Sequence, residues 1–154
     1  MRTTSRAEAK TQIDRLVASF FGVFSNRSGT RPDLGKIREL FVAEGIIAKC
    51  VAPVPVITTV EEFIGPRQEL LSSGELTEFS EEEIAETTQV FGHIAQRVST
   101  YQKSGVLEGA SFLTLGVKTF QFVETPAGWR ILAMTWDDER PGFSVEVPKE
   151  VGLG

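Results

Sequence analysis

The sequence predicts an α+β fold: about three N-terminal helices packed on one face of a strongly curved, mostly antiparallel sheet. Three observations predict it. Helical periodicity is confined to the first half, where apolar residues recur at three- and four-residue steps. From Leu76 onward the texture changes to long alternating stretches separated by short turns. Three helices cannot cover both faces of four or more long strands. The covered face therefore curves over a cavity, and the other face meets solvent or a second subunit.

The first helix starts at Ser5, which stands three residues before Glu8 in the spacing of a capping box. Ala9, Ile13, Leu16, Val17, Phe20, Phe21 and Phe24 then form a wide apolar stripe. Ser25 to Asp33 is loop by composition. A short second helix is predicted after Pro32–Asp33, with Leu34, Ile37, Leu40 and Phe41 on one face and Gly45 past its end. Ile46 to Cys50 and Val54 to Thr58 read as short strands. Thr59 and Glu62 repeat the capping-box spacing and open a third helix, broken or kinked at Pro66 and closed at Gly74.

Four long strands follow. Phe79 to Gln89 is polar and rich in Glu, and the turn Val90-Phe91-Gly92 leads into His93 to Lys103. A loop around Ser104–Ala110 precedes Ser111 to Glu124. The turn Thr125-Pro126-Ala127-Gly128 then leads to Trp129 to Asp138. The 154 residues suit a single domain, 1–154, with an irregular tail from about Arg140.

Composition narrows the function classes. The net charge of −5 argues against nucleic acid or an anionic membrane as the main partner. One Cys forbids an internal disulfide, and one His removes every multi-histidine metal site. No metal or cofactor is implied. No run approaches the ~18 apolar residues of a membrane span, so a cytoplasmic protein is expected, with Cys50 as a thiol. Gly-rich phosphate loops, a serine elbow and a dinucleotide fingerprint are all absent from the sequence.

The second half carries a family resemblance. Phe91-Gly92-His93-Ile94-Ala95-Gln96 running into Ser99-Thr100-Tyr101 resembles an uncharacterised bacterial branch of the nuclear transport factor two-like superfamily. So do Gly116-Val117-Lys118-Thr119-Phe120-Gln121-Phe122-Val123, Gly128-Trp129-Arg130-Ile131 and Trp136-Asp137-Asp138-Glu139-Arg140. That superfamily includes SnoaL-like polyketide cyclases, steroid isomerases and scytalone dehydratase. The resemblance implies a cystatin-like cone with a central cavity, and commonly a homodimer. The catalytic groups of those enzymes do not transfer. Where steroid isomerases carry a base on an early strand, this chain has Lys49 and Cys50; its only Tyr is Tyr101.

Candidate site residues come from the long strands. Alternation divides His93, Ala95, Arg97, Ser99 and Tyr101 from Ile94, Gln96, Val98, Thr100 and Gln102. Either set can face the cavity. The reading adopted turns the second set inward, with Gln96 as one polar handle in an apolar wall, and leaves Arg97 and His93 outside. His93 is the obvious acid–base candidate by its near-neutral titration, although a turn position favours a rim role. Trp136 and Asp138 share a face of the last strand, and Asp138 is the candidate base beside it. Glu78, Glu81, Glu82, Glu83 and Glu86 read as one exposed, solvated strand region rather than a metal site.

With 11 Phe among the aromatics, an apolar or aromatic small molecule is the expected occupant of the cavity. Ligand-binding residues are expected to be Gln96, Tyr101, Trp136, Phe20, Phe24 and Phe63, with Phe41 as further wall or core. Three functions stay open. The first is a small-molecule-binding domain. The second is an isomerase, dehydratase or cyclase using His93 and Asp138. The third is an interaction domain using the outer sheet face. A homodimer is expected because both alternating sets of Trp129–Asp138 contain apolar residues.

Overall fold

A computed structural model describes residues 4–145. Helix α1 (Arg6–Gly22) begins where Ser5 accepts a hydrogen bond from the Glu8 N–H. Its buried residues are the predicted stripe, and Phe24 is buried just beyond its end. Two short 3-10 turns follow, Arg27–Gly29 and Leu34–Glu39, the second capped by Asp33. The predicted second helix is thus shorter and tighter. Phe41 leaves it to open strand β1 (Phe41–Lys49), and Gly45 lies inside that strand. A Cβ on Gly45 would approach the Phe41 ring to 2.8 Å, and the register with the neighbouring strand shifts between Phe41 and Ile46.

Strand β2 (Val56–Thr59) runs into helix α2 (Val60–Ser72) through a full capping box between Thr59 and Glu62. The helix is continuous through Pro66, so the expected break is absent. The cap at one end and buried Val60, Phe63, Ile64 and Leu71 hold it across the hydrogen bond that proline cannot make.

The remaining strands are β3 (Leu76–Phe91), β4 (Ile94–Leu107), β5 (Ala110–Thr125) and β6 (Gly128–Asp138). The β4–β5 turn is tighter than the expected loop, with Glu108 and Gly109 both at positive φ as a two-residue hairpin requires. One six-stranded sheet results, in the order β2-β1-β6-β5-β4-β3. Only β1 and β6 pair in parallel. The helices cover one face, and the core between the layers is dominated by Phe20, Tyr101, Phe120, Phe122, Trp129 and Ile131.

The face assignment of β4 is the reverse of the one adopted from sequence. Ala95, Arg97, Ser99 and Tyr101 are buried under the helices, while Ile94, Gln96 and Val98 are exposed on the outer face. The reason is charge pairing across distant segments. The Arg97 guanidinium meets Glu83 at 2.5 Å and Asp14 of α1 at 2.6 Å, so its burial is compensated. The glutamates of β3 are likewise not one exposed row. Glu81 and Glu83 follow Phe79 inward at every second residue, and an irregularity between Glu83 and Ala85 lets Glu86 reach Lys10. Of the expected irregular tail, Arg140 to Val145 form a turn with a bridge between Arg140 and Phe143, and 146–154 lie outside the described residues. Among the described residues no helix is long and apolar enough to cross a membrane.

Candidate functional site

Antiparallel pairing brings the start of β3, the end of β4, the start of β5 and the end of β6 to one end of the sheet. The end of β1, parallel to β6, joins them. Helix α2 spans this end without filling it, and a cleft of about 420 Å³ remains between helix and sheet.

Its apolar walls come from both layers. Phe63 of α2 stands edge-on to Trp136 of β6 at 5.9 Å and to Phe24 at 6.1 Å. Leu71, Phe79, Phe112 and Met134 extend the surface. Helical spacing explains the α2 contribution: Phe63, Arg67 and Leu71 are four residues apart and share one face. The Arg67 guanidinium lies 4.1 Å from the Phe63 ring centroid and 5.1 Å from that of Trp136.

Charged groups line the floor. Lys118 of β5 lies in the same inward phase as Phe120 and Phe122, and its Nζ pairs with Glu81 at 2.9 Å, the two side chains being 5% and 7% exposed. That ammonium sits 4.2 Å from the Tyr101 ring centroid. Burial pushes the Lys118 amine below its ordinary value, against the pull of Glu81. Asp138 accepts a hydrogen bond from the Tyr101 hydroxyl and pairs with Lys103 at 2.8 Å. Burial first, and then the Asp138 carboxylate, raise the Tyr101 hydroxyl far above the ordinary phenol range, so it stays protonated as the donor.

This geometry is accompanied by a clear likeness in shape. No family model matches the sequence, and no curated protein matches it. Solved structures do match over nearly the whole chain. A nuclear transport factor 2 (NTF2-like) superfamily protein from Salmonella enterica serovar Typhimurium superposes with a TM-score of 0.71 at 15% identity, covering 97% of this chain and 99% of that one. The fold is the cystatin-like fold of the nuclear transport factor two-like proteins. An NTF2-like protein with a cystatin-like fold from Novosphingobium aromaticivorans matches at a TM-score of 0.65 and 21% identity, over 85% of this chain and 82% of that one. A protein of the same organism, named as a candidate aromatic ring hydroxylase, matches at 0.70 and 13% identity, over 90% and 94%. At these identities the likeness establishes the fold.

Within this NTF2-like frame the sequence-derived residues separate. Phe24, Phe63, Trp136 and Asp138 line the cleft. Tyr101 is fully buried just behind it, reaching the cleft through Asp138 and Lys118. Phe20 belongs to the core, packed on Phe24 at 5.2 Å and Phe120 at 5.8 Å. Phe41 is core on β1, not a helix residue. Gln96 faces the opposite side of the sheet, where its amide donates to Gln89. His93 sits in the β3–β4 turn, ten residues and roughly 30 Å of strand from Lys103, and its Nδ1 lies 2.9 Å from Glu124. It is therefore not on the cleft rim, and His93 and Asp138 are not neighbours.

Sequence reasoning missed Glu81, Lys118, Arg67, Lys103 and Lys49, all of which line the cleft. A signal existed for two of them. Glu81 follows Phe79, and Lys118 precedes Phe120 and Phe122, each in the apolar phase of its strand. A charge in that phase is either paired inside or part of a site.

Proposed function

We propose that this chain binds a small apolar or aromatic molecule in the cleft between α2 and the sheet. The observation that carries the reading is the cleft itself: about 420 Å³, walled by Phe24, Phe63 and Trp136, on a scaffold of strands. Trp136 is the anchor, because it is the largest aromatic side chain in the lining and Phe63 packs edge-on against it. A cytoplasmic setting belongs to the same proposal and is supported by Cys50 as a free thiol.

Titration calorimetry with a neutral naphthalene-type probe tests it. Trp136→Ala is expected to weaken binding by ~1–3 kcal/mol, the value of one lost aromatic wall, while His93→Ala changes it far less. Equal affinity of wild type and Trp136→Ala would remove the cleft as the binding site.

A second reading, acid–base isomerisation, dehydration or cyclisation of a related hydrophobic or polyketide-like substrate, is favoured by one arrangement. Asp138 joins Tyr101 and Lys103 at the wall of an apolar cleft, the kind of titratable grouping that enzymes use. Asp138 would be its working carboxylate, and Asp138→Asn would then abolish turnover while leaving probe binding intact. Homodimerisation through the outer sheet face completes the proposal; Ile46, Ile94, Val98 and Leu113 stand exposed there.

A further inference from the structure

Charge in the cleft is unevenly matched. Four cationic side chains, Lys49, Arg67, Lys103 and Lys118, share it with two acidic ones, Glu81 and Asp138. Both acids are engaged, Glu81 with Lys118 and Asp138 with Lys103 and Tyr101. Among the described residues no carboxylate lies within ion-pair distance of Arg67 or Lys49. The imbalance is local, because the whole chain carries −5. A cationic cleft on an acidic protein selects for charge as well as shape.

Arg67 adds direction. Its guanidinium lies over the Phe63 and Trp136 rings in the lining of the cleft, and among the described residues none accepts a hydrogen bond from its donors. A planar ligand sliding between these aromatic walls would present its own edge to that fork. A neutral ligand there would further desolvate an unmatched cation, whereas a carboxylate would match it with two parallel hydrogen bonds. Burial works against the charge on Arg67 and outweighs the pull of Glu81, which lies beyond ion-pair distance and is already paired with Lys118; a bound anion relieves that cost.

We propose that the cleft takes an anionic ligand, a planar apolar body bearing one carboxylate, with the Arg67 guanidinium as its receptor and Lys49 as a supporting cation. The inference rests on the binding reading above and narrows its ligand class.

Three probes of one shape separate the two: 2-naphthoate, neutral 2-naphthamide and the cation 2-naphthylmethylammonium, titrated calorimetrically at pH 7 into wild type, Arg67→Leu, Arg67→Lys and Lys49→Gln. Thermal melts by circular dichroism confirm that each variant is folded. The expected result is 2-naphthoate binding at least tenfold more tightly than 2-naphthamide, with the cation weakest. Arg67→Leu should bring 2-naphthoate within about twofold of the amide. Arg67→Lys should restore part of the preference, and Lys49→Gln should reduce it. Equal or tighter binding of the amide by wild type overturns the anionic inference and leaves the cleft reading standing. An undiminished preference in folded Arg67→Leu overturns the assignment to Arg67. Absence of binding by any probe at millimolar concentration overturns the cleft reading and this inference together.

Discussion

Tyr101 and Gly116 face each other across β4 and β5, and the pair shows how one glycine positions the candidate site. The buried ring lies directly over Gly116; a Cβ there would run into the Tyr101 hydroxyl end and stand 2.7 Å from the Asp137 carbonyl oxygen. Removing that hydrogen-sized gap must displace either the ring or β6, and both lead to Asp138. Gly116→Ala is therefore expected to cost ~1–3 kcal/mol in urea unfolding, as overpacking of a filled core does. Combining it with Tyr101→Phe, which removes the clashing oxygen, should recover part of the loss. An unchanged midpoint in Gly116→Ala would show that the ring does not pack as described. For Trp136 the side chain's chemistry matches its phase, and the residue lies in the cleft lining. For Arg97 and Gln96 the chemistry misleads, because an arginine reads as outward-facing until Glu83 and Asp14 are seen around it.

Helix α2 roofs the cleft, and its start is specified locally. Thr59 accepts from the Glu62 N–H while Glu62 accepts from the Thr59 N–H. Thr59→Ala is expected to lower stability by ~1 kcal/mol. It should also loosen Phe63 and Arg67, so probe affinity falls although no ligand contact is removed. Probe affinity unchanged in a measurably destabilised Thr59→Ala would show that the roof acts independently of its cap. Other element features need partners to be visible. In β6 the register shifts beside Ile131, so Trp129 and Ile131 point inward together with Met134 and Trp136. The mixed apolar pattern that suggested a dimer from this strand has that cause. A one-residue bulge reverses alternation, and only pairing with β5 reveals it.

At the scale of the molecule, the outer sheet face is the surface a dimer would bury. Thr87, Val98, Thr119 and Thr135 form one row of uncharged residues across β3, β4, β5 and β6. Ile94 and Leu113, on the same face toward opposite ends of the strands, are 60% and 63% exposed. A self-complementary, neutral sheet surface suits a two-fold interface. Light scattering at tens of micromolar protein is expected to give twice the 16.9 kDa chain mass, and Val98→Lys should lower it to the single chain. A wild-type species of about 17 kDa would refute the dimer.

By itself the sequence determined the α+β class, the capped first and last helices and the order of elements along the chain, because these follow from periodicity, caps and turns within a few residues of each other. It also marked Phe24, Phe63, Trp136 and Asp138, which the cleft contains. Only the tertiary structure decided which sheet face is covered, where β6 changes phase and how Glu81, Lys118, Lys103 and Asp138 pair. The ion pairs join groups more than thirty residues apart, the phase of β6 follows from its pairing with β5, and the Coulomb and packing energies that choose between two strand faces are not fixed by local alternation.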